Sequence, residues 1–552
     1  MTDSFECTPC ERTRVKKQHI ITRSAPFIAD RDSSPPSTGA TMDDMPLPAS
    51  QQSTSHADSR RAASARPMRI ALLLFLFLNC VYLLTSTGRA RSNDEIDPVL
   101  QSESLLLRHS TAIPQAVGSG IYFGKVDLHG LPRSAWPAGH ALLVLPWSAF
   151  GHYVLARQPG IPRNISDLAF ASATCWSSAT YAALAVAASF LLFFKLGNTL
   201  RSALAGSLLL GFCTPLFVYS GWLFSEPAST ALFALAALLL FASGKEIPVS
   251  RAVLASLLLG FSIHVRPANM VTVLVFIAAT ALLERPEQER GFAYRTTVIL
   301  VVVVGISGAL YLARNYALFG NPLDFGVPAT AENAKDLDSW RNPFWTGIFG
   351  FLFSPGKSVF LFSPPIILGI LGLPCLWRRN RGLALLAGAA PVANLILYSF
   401  RTQWEGSYCY GPRYLLPSLT LLCYPIAALL REPSGAARPW LRPLLWITAI
   451  GGLLVQAIGL ATNILEDMVR NRYYIGNWDY RMSYSPITGQ LQLIWKYLHV
   501  EPTAVGLGWD RWFVLLRAAG ASPSLVTGIA SLMLAGALIF GLLTWRSVRN
   551  EA

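Results

Sequence analysis

From residue 68 onward the chain alternates long apolar runs with short polar joints. Runs such as "MRIALLLFLFLNCVYLLT" (68 to 85), "TTVILVVVVGISGALYLA" (296 to 313) and "SLVTGIASLMLAGALIFGLL" (524 to 543) match the ~20 apolar residues a helix needs to cross a bilayer. Their apolar character is continuous rather than alternating, which excludes a transmembrane barrel, and lipid tolerates no unpaired backbone, so the predicted elements are helices. Spans are predicted near 68–86, 167–194, 202–220, 227–243, 252–265, 268–284, 296–313, 359–377, 382–400, 414–430, 443–463 and 524–544. The fold class is therefore an all-α polytopic membrane protein of about twelve transmembrane helices, with extracytoplasmic loops between them.

The polar joints orient these spans. Arg60, Arg61, Arg66 and Arg69 precede the first one and place the amino terminus in the cytoplasm by the positive-inside rule. Strict alternation then gives every cytoplasmic joint basic residues, among them Lys195 with Arg201, Lys245 with Arg251, and Arg378, Arg379 and Arg381. Segments 87–166, 314–358 and 464–523 fall on the outer face. The run "GHALLVLPWSAFGHYVL" (139 to 155) would break this parity as a span, so an interfacial or re-entrant helix is expected there. The organisation that follows is a disordered cytoplasmic tail (1–67), the first span (68–86), a first outer loop (87–166), a transmembrane core (167–463), an outer segment (464–523) and a last span with a cytoplasmic tail (524–552). The tail is assigned from its Ser, Thr, Pro and Arg content and its lack of apolar periodicity.

Composition agrees: 52% of residues are hydrophobic and 14% charged, with mean hydropathy +0.41. A net charge of +14 would suggest nucleic acid for a soluble chain. In a multipass protein it reflects basic cytoplasmic joints, and no nucleic-acid partner is expected. Of eight cysteines, only Cys7 and Cys10 in "CTPC" have metal-like spacing, a weak signal without a second pair. The first apolar run lies too far from the start for a signal peptide, so it is expected to be a retained span of an integral, multipass protein.

Polar residues inside this apolar chain are the candidate chemistry. "SNDEID" places Asp94, Glu95 and Asp97 just beyond the first span, as a solvated loop start or as a base and metal site. "VDLHGLPRSAWPAGH" carries Asp127 and Arg133, in a Pro and Gly turn or a binding loop. Glu226 precedes Pro227 at a natural helix start, and Arg266 sits within an apolar stretch, where an ionisable residue implies a function or a buried partner. Arg314 and Lys357 lie at outer helix ends, as phosphate ligands or interfacial anchors. "RTQWEGSYCYGPRYLLP" (401 to 417) adds Trp404, Tyr408, Tyr410 and Arg413. No Walker loop, HExxH or GxSxG occurs.

As a set, these pieces resemble the GT-C-type integral-membrane glycosyltransferases, in the branch with protein O-mannosyltransferases and aminoarabinose transferases. The resemblance rests on "SNDE", "ESLL" at 103 to 106, "VDLHG" with "WPAGHALLVLP", "TPLFVYSGWLFSEP", "RP" at 266 and 267, "NYALFGNPL", "FSPGKSVFLFSPP" and "WEGSYCYGPRYLLP", in family order from residue 92 to 417. It implies a glycosyltransferase that uses a polyprenyl-phosphate-linked sugar and an extracytoplasmic acceptor hydroxyl on lipid, glycan or protein, with inversion. Asp94 takes the place of the catalytic base, and Glu95 supports it or binds a divalent cation. The substrate residues would then be Asp127, Arg133, Glu226, Arg266, Arg314, Lys357, Trp404, Tyr408, Tyr410 and Arg413. Relatives often carry Lys in a "YSKWPPG"-like stretch where this chain has Ala135, leaving Arg133 as the nearest substitute. The competing reading is a polytopic lipid or sugar transporter, although no internal repeat is visible.

Overall fold

The computed structural model describes residues 49–118, 122–155, 162–242, 247–282, 290–326, 340–406, 409–431, 439–471, 478–501 and 508–549. Residues 1–61 and 62–552 form separate units. Most of the first, including Cys7 and Cys10, lies outside the described residues. Its last stretch begins helix α1 (Ala49–Thr85), nineteen residues before the expected start of the first span at residue 68. Ala, Gln and Arg in "ASQQSTSHADSRRAASAR" are good helix formers, and a helix propagates from an existing turn at little cost.

In the second unit every predicted apolar run is helical. Among the described residues, seven helices are long and apolar enough to cross a membrane: Arg66–Thr85, Arg163–Lys195, Tyr294–Phe319, Arg381–Ser399, Arg413–Arg431, Leu441–Ala461 and Pro523–Arg549. The other five runs give shorter helices, two of them because the backbone is interrupted. Thr214 and Pro215 split 202–220 into α5 (Leu200–Phe212) and α6 (Leu216–Ser220), and Pro364 and Pro365 cut Ile366–Trp377 from Val359–Phe362. The expected helix at 139–155 is α3 (Ala138–Phe150), continued by a five-residue π turn, Gly151–Leu155. Thirteen α-helical residues rise only about 20 Å, less than the hydrocarbon thickness.

Burial shows which helices are central. In Arg413–Arg431, 94% of the apolar window is buried, against 11% in Pro523–Arg549, whose apolar face is left for lipid. Helix α4 (Arg163–Lys195), rich in Ala and Ser, packs against α7 (Ser225–Phe241), α7 against α8 (Val249–Val265), and α8 against α9 (Asn269–Ala281) and α10 (Arg290–Phe319). Small residues let such backbones approach, the usual solution where lipid offers no hydrophobic drive. A Cβ on Gly369 would lie 1.9 Å from the Leu422 carbonyl oxygen, so only glycine fits that crossing.

The loop after the first span is folded rather than open. Helix α2 (Asn93–Arg108) packs on α3, and strands β1 (Gly124–Val126) and β2 (Pro132–Ser134) form an antiparallel hairpin between them. Gly139 brings α3 against the end of α8: a Cβ there would meet the His264 carbonyl oxygen at 2.3 Å. This contact places the loop over the helix ends that carry Glu226 and Arg266.

Candidate active site

Three backbone interruptions deliver charged side chains to one place. Pro227 lies in the first turn of α7 beside Glu226, where the helix dipole favours a carboxylate. Arg266 precedes Pro267, which pushes it out of helical geometry to φ −156° and ψ 116°, so α8 ends there. Gly411 takes the left-handed φ of +63° and Pro412 follows, which turns the chain into the short 3-10 helix Arg413–Leu415.

The charges form one chain of ion pairs. Arg413 Nη1 lies 2.5 Å from Asp94 Oδ2, and Arg413 Nε lies 3.3 Å from Glu226 Oε1. Arg266 Nη1 donates to the same Glu226 oxygen at 2.7 Å. Among the described residues, Glu226 Oε2 is buried and has no hydrogen-bond partner. Tyr414 lies under three guanidiniums, those of Arg401, Arg266 and Arg413, at 4.8, 5.1 and 5.1 Å, and it stacks on Tyr398 with centroids 4.7 Å apart. Phe224 faces Arg413 at 4.7 Å.

These groups surround a cavity of about 390 Å³. Asp94, Trp136 and His140 line it from the first loop, Glu226 and Arg266 from the helix ends, Tyr311 from α10, and Tyr398, Arg401, Arg413 and Tyr414 from the later helices. The lining holds three guanidiniums against two carboxylates. An anion can therefore enter without leaving an unpaired negative charge, and tyrosine faces are available for a flat, partly apolar group.

Behind Asp94, one turn along α2, Asp97 accepts a hydrogen bond from the Ser134 hydroxyl, and Ser134 in turn accepts from the Trp136 N–H at 2.9 Å. Gln101, the next residue on that face, donates to the Trp136 carbonyl oxygen at 3.0 Å. Helix α2 thus holds the 134–136 strip that walls the cavity. Burial pushes Asp97 up to about 7; the Ser134 hydrogen bond opposes this and the neighbouring Asp94 charge adds to it.

Of the residues expected in the site, Asp94, Glu226, Arg266 and Arg413 are brought together and the other described ones are placed elsewhere. Glu95 is adjacent to Asp94 in sequence but points about 100° further around α2. It pairs with Arg91 at 3.3 Å and accepts from the Arg91 and Leu223 backbone N–H groups, while Arg91 also reaches Asp510 and stacks on Trp222. Asp127 and Arg133 pair with each other at 2.7 Å, and Asp127 also caps the His129 and Leu131 N–H groups of the hairpin turn. Arg314 donates to Asn315 and is not part of the lining. Lys357 is fully buried, with Nζ on the Cys409 carbonyl oxygen and thiol at 2.9 and 3.1 Å.

The expected aromatic wall also shifts. Trp404 packs edge-on against Phe351, and Tyr410 lies in the core against Phe362, bonded through its hydroxyl to Val455. Tyr408 lies outside the described residues. Tyr398, Tyr414 and Trp136 provide the wall instead. Glu405, nearby in sequence, is half-buried, and its partial desolvation raises its carboxyl above the usual range. The Arg413 N–H donates to the Gly411 carbonyl oxygen, so it adds no free backbone donor for an anion.

Among the described residues no group of three or more His, Cys, Asp or Glu side chains is placed to hold a metal ion. Asp94 and Glu95 turn to different arginines, and Glu226 is engaged by two, so this donor set does not suit a divalent cation.

Together these features define an all-α polytopic membrane protein with an ion-paired cavity beneath its first loop. No family model matches the chain, and no curated protein matches it in sequence. Among solved structures it is similar to ArnT from Cupriavidus metallidurans in the apo state, at 14% identity and TM-score 0.42, covering 89% of this chain and 78% of that one. It is similar to the same protein bound to undecaprenyl phosphate, at 14% and 0.39, over 88% and 77%. The archaeal oligosaccharyltransferase AglB from Archaeoglobus fulgidus, in complex with an inhibitory peptide and a dolichol-phosphate, gives 11% and 0.40, over 83% of this chain and 56% of that one.

Proposed function

We propose that the chain is a membrane glycosyltransferase that moves a sugar from a polyprenyl-phosphate donor to an acceptor hydroxyl on the outer face of a bacterial inner membrane, with its amino terminus in the cytoplasm. The observation that carries this is Asp94. Its carboxylate is partly open at the cavity and directly joined to Arg413, so a base for the acceptor and a cation for the phosphate share one site.

In this mechanism the donor phosphate engages Arg413 together with Arg266 and Arg401, whose planar forks suit phosphate oxygens. Arg413 then loosens its hold on Asp94. The freed carboxylate takes the acceptor's hydroxyl proton as the oxygen attacks the anomeric carbon. The bond to the phosphate oxygen breaks, polyprenyl phosphate leaves as an anion, and one displacement inverts the anomeric centre. Tyr398 and Tyr414 offer faces to the sugar or the lipid headgroup, and Glu226 Oε2 accepts a hydroxyl.

Purified protein incubated with a panel of polyprenyl-phosphate sugars and mixed acceptors tests this by release of polyprenyl phosphate. A transporter would bind or move such donors and release none. Undiminished release by Asp94→Asn would remove Asp94 as the base.

A further inference from the structure

One polar side chain in the cavity wall takes no part in the chemistry above: His140, in the first turn of α3. It is 4% exposed, and among the described residues its ring makes no hydrogen bond. Buried polar side chains are almost always paired, so an unpartnered ring in a cavity wall is free to meet a ligand. Burial pushes its imidazole down to about 4, which leaves the ring neutral, with one nitrogen to donate and one to accept.

Local packing fixes where the ring sits. Gly139 lets α3 touch the end of α8: a Cβ there would lie 2.3 Å from the His264 carbonyl oxygen and 2.7 Å from the Val265 nitrogen. One turn further, on the same face of α3 as His140, Leu143 packs with Ala228 and Val265, and Val144 packs with Leu223. His140 therefore stands beside the helix ends where Arg266 holds Glu226. Glu226 Oε2 is the second buried, unpartnered polar group of this wall.

The chemistry these two groups accept is narrow. Arg266 and Arg413 both engage Glu226 through Oε1. The other oxygen lacks a hydrogen-bond donor rather than a third cation. An ammonium placed there would face two guanidiniums, and a carboxylate would face Glu226 itself. A hydroxyl donates and accepts without charge, which suits both the carboxylate oxygen and a neutral imidazole. We propose that His140 is a specificity-determining contact that, with Glu226, reads hydroxyls of an uncharged sugar in the donor. This rests on the polyprenyl-phosphate donor reading above and names the class of sugar that donor carries.

The test measures binding, so it needs no turnover. The full chain in detergent is titrated with polyprenyl phosphate alone and with polyprenyl-phosphate glucose, galactose and mannose, each beside its amino-sugar and uronic acid counterparts. At least one neutral donor should bind about tenfold more tightly than polyprenyl phosphate, the worth of an ordinary hydrogen bond, and its charged counterparts should lose that advantage. His140→Ala should abolish the sugar's advantage and leave the affinity for polyprenyl phosphate unchanged, which also shows that the variant is folded. His140→Gln, which keeps a donor and an acceptor, should restore part of it. No advantage for any neutral sugar, equal binding of charged counterparts, or a full advantage in both His140 variants would overturn the proposal. A parent protein that shows the sugar preference but never releases polyprenyl phosphate would instead count against the transferase reading and leave His140 as a sugar contact.

Discussion

Replacing Arg413 with alanine removes the guanidinium paired with Asp94 and one of the two arginines on Glu226. The size of the effect follows from burial. Exposed ion pairs contribute up to about 1 kcal/mol, and removing one partner of a fully buried pair costs about 3 to 5 kcal/mol. The Asp94 side chain is 24% exposed and that of Arg413 is 9%, which places their coupling between those limits, at about 2 kcal/mol. A double-mutant cycle isolates it. Because Cys175, Cys213, Cys375, Cys409 and Cys423 are buried, a thiol-reactive dye reports unfolding in detergent. Arg413→Ala should melt well below the parent, and adding Asp94→Asn should recover part of the loss, since the stranded carboxylate no longer needs a cation. If the double variant melts lower by the sum of the single effects, the two side chains are not coupled and the ion-paired description of the cavity fails.

Three further outcomes test other parts of the account. Glu95→Gln should cost about 1 to 3 kcal/mol of stability by weakening the buried Arg91 pair, while the folded fraction keeps its transferase activity; loss of turnover at full stability would return Glu95 to the chemistry. Asp97 has a folded value raised to about 7, so its contribution to stability is present at low pH and is lost as pH rises from about 4 through 7. Asp97→Asn should flatten that decline in pH-dependent melting, and an unchanged slope would contradict the burial of a neutral carboxyl. Gly369→Ala should destabilise by about 1 to 3 kcal/mol through its clash with Leu422, while Gly388→Ala should be close to neutral; equal melting shifts would refute the glycine-dependent helix crossing.

How much of this was legible depended on whether the local chain constrained a side chain's direction. The apolar runs were, since hydrocarbon demands continuous helices, although the breaks at Pro215 and Pro364 shortened several. Glu226, Arg266 and Arg413 were legible because each sits beside a proline that ends or starts an element. A charge at a helix end in an apolar chain needs a distant partner. Asp127 and Arg133 looked similar, yet a hairpin lets residues six apart satisfy each other. Glu95 differs from Asp94 by one position, about 100° around α2, which turns it from the cavity to Arg91. Polarity alone could not tell which aromatics of 401–417 face inward: Trp404 and Tyr410 pack in the core, and Tyr414 lines the cavity. Tyr398 gave no signal, being the last aromatic of an apolar helix.

The central claim is that Asp94 and the arginines around it catalyse transfer from a polyprenyl-phosphate sugar, and single-turnover release of polyprenyl phosphate by parent and Asp94→Asn proteins tests it most directly. The account predicts acceptor-dependent release by the parent and its loss in a variant that still binds donor. Equal release by both proteins, or donor binding without release by the parent on every sugar and acceptor tried, would contradict it.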